Sequence, residues 1–88
     1  MKELVEFLVK SLAEHPDQVS LTENSGDDYI ALELKVATED LGKIIGKRGN
    51  TVNAIRVVLQ AAASSRNKRA RLEVLNANGL PSEPNLED

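Results

Sequence analysis

Along residues 2–14, Leu4, Val5, Leu8 and Leu12 recur at helical spacing, Phe7 and Val9 widen the stripe, and Lys2, Glu6 and Lys10 fall elsewhere. That period predicts an amphipathic helix. His15-Pro16 closes it, because the residue before a proline avoids the α region. From 18 to 22 the period changes to two, with Val19 and Leu21 alternating against Gln18, Ser20 and Thr22, and a short strand is expected. Asn24 to Asp28 reads as a polar turn. Alternation then resumes, with Ile30, Leu32, Leu34 and Val36 inward and Ala31, Glu33 and Lys35 outward. The two strands form an antiparallel hairpin.

Thr38 is an N-cap type ahead of a short helix over 39–45, with Glu39 and Asp40 in its first turn, where negative charge is favourable. Gly42 inside that helix costs about 1 kcal/mol against alanine, which points to close packing at that position. A longer helix over 50–65 carries Val52, Ile55, Leu59 and Ala62 on one stripe, and Ala70 to Val74 alternates as a third strand. The order is α-β-β-α-α-β. A helical crossover between the second and third strands makes them parallel. Each strand has one apolar face, so the class is α+β, a three-stranded mixed sheet with three helices on one side. Residues 1–76 form one domain, and 77–88, acidic, with two prolines and no period, read as a disordered tail.

Charge changes this picture. The net charge is −3, yet eight of the eleven cations lie between Lys43 and Arg71, a window without an acid. A local positive field steers a polyanion whatever the total charge. With no cysteine and a single histidine, no metal cluster or disulfide framework is expected, and no cofactor. No signal segment or membrane-length apolar run is read, so a cytoplasmic protein is expected, without membrane or small-molecule substrate.

The window centres on Ile44-Ile45-Gly46-Lys47-Arg48-Gly49-Asn50-Thr51. A glycine at each end permits a tight turn and close backbone approach to a ligand. Asn50 and Thr51 are N-cap types at the start of the long helix, whose free N–H groups and dipole form an anion site beside Lys47 and Arg48. Phosphate is the expected ligand. The bland alternative is an ordinary helix-turn-helix corner, since glycine commonly ends helices.

These residues, in this order of elements, resemble a type II KH domain, whose signature stands here as Ile44-Ile45-Gly46-Lys47-Arg48-Gly49-Asn50-Thr51-Val52. The opening helix and the run from Leu41 to Gly49 are similar, more narrowly, to the KhpA family of small bacterial single-KH proteins. The resemblance covers about residues 2–75. It implies a cytoplasmic binder of single-stranded RNA and an RNA chaperone or post-transcriptional regulator. It further implies pairing with itself or with a KhpB-type protein, and an influence on cell elongation and wall homeostasis.

In KH domains the turn holds the backbone of about four nucleotides and the bases lie in an adjoining groove. The expected RNA-binding residues are Lys43, Ile44, Ile45, Gly46, Lys47, Arg48, Gly49, Asn50 and Thr51, with Leu41 and Val52 adding to an aliphatic floor. Arg66, Lys68, Arg69 and Arg71 either contact RNA or form a solvated face. On the long helix Ala54, Val57, Val58 and Ala61 lie away from the core stripe, either as a dimer surface or covered by the domain itself. With only Phe7 and Tyr29 as rings, a stacked-aromatic platform cannot be built. Catalysis is not expected. The glycine turn is too short for a nucleotide-hydrolase loop, and no nucleophile has a reason to meet a base. The competing reading is a protein-interaction adaptor whose turn meets no nucleic acid.

Overall fold

The computed structural model describes residues 2–81 of the 88. Six elements follow in the expected order: α1 (Lys2–Leu12), β1 (Ser20–Ser25), β2 (Tyr29–Lys35), α2 (Leu41–Ile45), α3 (Asn50–Ser64) and β3 (Arg69–Leu75). Short 3-10 turns occupy Pro16–Gln18, Thr38–Asp40 and Lys47–Gly49.

The sheet order is β1-β2-β3, with β1 antiparallel and β3 parallel to β2. Leu21 pairs with Leu34, and Leu32 with Leu72, so the apolar positions share one face. Val5 and Val9 from α1, Ile44 from α2, and Val52, Ile55, Leu59 and Ala63 from α3 complete the core on that side. The fold is therefore α+β, a three-stranded mixed sheet covered on one face by three helices. Tyr29, Glu33, Lys35, Arg69 and Arg71 stand exposed on the other.

Several local expectations are corrected. β1 begins at Ser20, after the Pro16–Gln18 turn, and runs to Ser25, because ladder pairing of Asn24 with Ala31 and Ser25 with Ile30 accommodates polar residues. Along α1 only Val5 and Val9 are buried, while Leu4, Phe7 and Leu12 are exposed. The apolar stripe is wider than the surface α1 rests on. On α3 the buried stripe ends at Ala63, not Ala62, keeping a spacing of four from Ile55 and Leu59.

Thr38 does not cap a helix: it is the first residue of a 3-10 turn whose N-cap position is Ala37, with no side-chain cap. After β3, Asn76 organises a turn. Its N–H donates to Leu80 O at 2.8 Å, and its Oδ1 accepts from Asn78 N at 2.9 Å and Leu80 N at 3.1 Å. Leu75 then bridges to Pro81 in antiparallel sense. Residues 77–81 are thus not the structureless segment expected, and the tail expectation for 82–88 lies outside the described residues.

Candidate nucleic-acid interface

α2 ends on Ile45, where Gly46 N–H donates to Gly42 O at 2.9 Å and the chain reverses. Gly46 sits at φ 77, ψ 175, a region open to glycine alone, and Gly49 at φ 77, ψ 12. Arg48 is also left-handed, at φ 57, ψ 25. Gly49 N–H donates back to Gly46 O at 3.1 Å and closes the turn. Thr51 explains the first glycine further. A Cβ on Gly46 would stand 2.3 Å from Thr51 Oγ1 and 2.7 Å from its Cβ.

This closure lifts the side chains of Lys47 and Arg48 into solvent. It also moves the helix start. The N-cap of α3 is Gly49, with Asn50 and Thr51 already inside the helix and no side-chain cap, so the expected capping by Asn50 or Thr51 is corrected. Left-handed Gly49 feeds the chain into the helix one residue earlier. No side chain caps the first amides of α3, and the first of them, Asn50 N–H, donates instead to Lys47 O within the turn.

The expected aliphatic floor is not on the surface. Ile44 and Val52 are fully buried and Ile45 is 7% exposed, so these residues support the turn from within and offer a ligand almost no area. Leu41 is half-buried against the same core. Gly42 is exposed and a Cβ there would meet nothing within 4 Å, so the expected close packing is absent. Lys43 is exposed but ion-paired with Glu14 from the segment after α1, and it is not a free rim cation.

Beside Lys43 stands a group that the sequence reading treated only as helix-start charge. Asp40 is wholly buried and accepts from Glu14 N at 2.9 Å and from His15 N at 3.0 Å, tying the exit of α1 to the start of α2. Burial acts to raise its pKa, but the two backbone N–H groups, with His15 and Lys43 nearby, outweigh it and hold the carboxyl below its ordinary value.

Further along α3 lies a second feature, a groove of about 380 Å³ between α3 and the edge of β3, lined by Arg56, Val57, Gln60, Ala70, Arg71 and Leu72. Arg56 Nη2 donates to Leu72 O at 2.8 Å, and Gln60 Oε1 accepts from Ala70 N at 2.9 Å. Arg56 and Gln60 were missed as site residues. Their spacing of four, which places both on one flank of the helix, was the available signal. Arg66, Lys68 and Arg69 gather at the opposite end of α3 from the turn, about 20 Å along a helix of this length, whereas Arg71 lines the groove beside Arg56 and Gln60. Lys68 Nζ donates to Gly26 O at 3.2 Å.

The strip of Ala54, Val57, Val58 and Ala61 is exposed, Val57 to 68%, so its own domain does not cover it. Val58 and Ala54 join Phe7 and Leu12 in an apolar groove between α1 and α3. Among the described residues no cluster of His, Cys, Asp or Glu could hold a metal ion, and no helix is long and apolar enough to cross a membrane.

An α-β-β-α-α-β domain with a glycine-bracketed cationic turn between its second and third helices is a KH domain of the type II arrangement. The family model of the KhpA/KhpB KH domain matches residues 2–74, and the chain belongs to that family. It is 51% identical over 75 residues to RNA-binding protein KhpA of Clostridium acetobutylicum, a match covering 85% of this chain and 100% of that protein. The corresponding protein of Clostridium perfringens is 49% identical with the same coverage, and that of Borreliella burgdorferi 47% over 84% of this chain and 90% of its own. No solved structure matches the chain.

Proposed function

We propose that this chain is a cytoplasmic single-stranded RNA-binding protein that holds the sugar-phosphate backbone in the Gly46–Gly49 turn and lays the bases along the α3–β3 groove. One observation carries the reading: Lys47 and Arg48 are exposed beside a helix start that no side chain caps. The relatives are named as RNA-binding proteins, which supports RNA over single-stranded DNA. Phosphate oxygens take the two cations at the start of α3, Gly46 lets the strand approach while buried Gly49 holds the turn closed, and Asn50 and Thr51 flank the strand. A role as RNA chaperone or post-transcriptional regulator, acting on cell elongation and wall homeostasis, follows from the family resemblance. Crosslinking in cells followed by sequencing identifies the targets; recovery of no RNA above background removes that role.

The direct test is the double change Lys47→Asp/Arg48→Asp, titrated with mixed-sequence oligoribonucleotides by fluorescence anisotropy. Affinity at low salt should fall by about 100-fold or more, and the logarithmic salt dependence of the residual binding should flatten by about one to two. Melting temperature should not fall, because acids at a helix start are favourable. Wild-type affinity in the folded variant would falsify the reading.

The exposed strip on α3 favours pairing, with a second copy or with a KhpB-type protein. A small domain seldom leaves Val57, Val58, Phe7 and Leu12 in water. Sedimentation of Val58→Glu should give the monomer mass where the parent gives a larger one. If the parent itself sediments as a monomer, self-pairing is excluded and the heterologous partner remains to be tested by mixing.

A further inference from the structure

The helices cover one face of the sheet and leave the other bare. Strand alternation sends Tyr29, Ala31 and Glu33 of β2 and Arg69, Arg71 and Glu73 of β3 to that bare face. The register sets them in rows: Tyr29 beside Arg69, Ala31 beside Arg71, Glu33 beside Glu73. Charge is thus sorted along the strands, with cations in the first two rows and acids in the third. Asn24 of β1 completes the second row opposite Ala31.

A depression of about 600 Å³ spans the first two rows, and its lining contains no acid. Clefts for small ligands run from about 300 to 1,000 Å³. Tyr29 is 41% exposed, and its ring lies against Gly26, where any Cβ would collide with it, so the hairpin holds the ring in place. Arg69 and Arg71 are exposed and form no ion pair among the described residues, with Asp27 and Asp28 of the hairpin tip or with Glu73. Two guanidiniums about 7 Å apart along a strand repel each other, and phosphate relieves the repulsion. Tyrosine rings and guanidinium planes both stack on unpaired bases. One ring is too few for a platform of several bases but serves a single one.

β3 is an edge strand, so this depression and the α3–β3 groove meet over it, and Ala70 and Arg71 line both. We propose that the bare sheet face is a second subsite for single-stranded RNA: a strand leaving the α3–β3 groove crosses the β3 edge, stacks one base on Tyr29 and gives its flanking phosphates to Arg69 and Arg71. The Glu33–Glu73 row repels the backbone and confines the subsite to the Tyr29 end. Continuity with the groove and the π-face of the ring favour a nucleic-acid strand over an acidic peptide. The subsite rests on the RNA reading above and extends it.

Tyr29 is the only tyrosine of the chain, so fluorotyrosine labelling gives the full-length protein one fluorine NMR resonance at the subsite. A mixed-sequence decanucleotide of RNA should move that resonance, whereas a tetranucleotide, which the turn and groove accommodate, should not. Tyr29→Leu should weaken decanucleotide binding about tenfold and leave the tetranucleotide unchanged, and Tyr29→Phe, which keeps the ring, should match the parent for both. Arg69→Gln/Arg71→Gln should flatten the logarithmic salt dependence of decanucleotide binding by about 1.4, for two lost phosphate contacts. An unmoved resonance on decanucleotide binding, or equal affinities of parent and Tyr29→Leu, overturns the subsite; the turn reading survives that result if Lys47→Asp/Arg48→Asp still loses affinity. A tetranucleotide that shifts the resonance as far as the decanucleotide overturns the path across the β3 edge. Binding that depends on Tyr29 but not on Lys47 and Arg48 supports the sheet subsite and removes the turn reading. If the parent binds neither oligonucleotide at low salt, both fall.

Discussion

The two ends of α2 handle charge in opposite ways. At its start, Asp40 is buried and accepts the N–H groups of Glu14 and His15, Lys43 pairs with Glu14, and His15 Nε2 lies 3.6 Å from Glu39. Every charge there ties α1 to α2. At its end, five residues later, Lys47 and Arg48 stand in solvent with no ion pair among the described residues. They also sit where cations are least welcome, at the positive end of the α3 dipole. Arg48 adds a left-handed backbone that costs about 1–2 kcal/mol for a non-glycine residue. The first arrangement stabilises the fold. The second works against stability, a local conflict of the kind that a bound anion would relieve under the proposed function.

The contrast breaks most sharply at Asp40. Asp40→Ala leaves the Glu14 and His15 N–H groups without an acceptor in a buried setting, and the melting temperature should drop by more than about 10 °C. Acid should do the same by degrees. The folded carboxyl titrates below its ordinary value, so its contribution is complete above the unfolded pKa of about 4 and is lost as pH falls through the folded one. Thermal scans from pH 6 to 2 should show the parent losing stability over that range more steeply than Asp40→Ala. Parallel curves would make Asp40 a bystander.

What the sequence made legible follows from periodicity. Ile30, Leu32 and Leu34 alternate without exception, and β2 formed as expected with its apolar side on the helices. The turn was legible as a turn because glycines at 46 and 49 permit the positive φ that both adopt. Asp40 was not, because its partners are backbone amides 25 and 26 residues away, and backbone amides leave no mark in a sequence. Ile44 and Ile45 were placed at the interface because they adjoin the turn, but chain adjacency says nothing about the direction of a side chain. The Arg56–Leu72 and Gln60–Ala70 bonds depend on α3 lying across β3, a packing no local pattern states.

Two glycines of α2 and its turn, four residues apart, give the finest test. Gly46 has positive φ and a neighbour, Thr51, inside contact distance of any added Cβ; Gly42 is helical and faces open space. Gly46→Ala should therefore cost about 2 kcal/mol or more from backbone strain alone, with the Thr51 clash added. Gly42→Ala should instead stabilise by about 0.5–1 kcal/mol, since alanine loses less conformational entropy in a helix. Denaturant melts of the two variants read both signs. RNA titration then separates stability from approach: an unfilled space at Gly42 that serves only the helix leaves affinity unchanged on Gly42→Ala. Loss of affinity in the stabilised variant would mean that the strand passes over α2 itself, extending the contact surface from the turn back to the residue before Lys43.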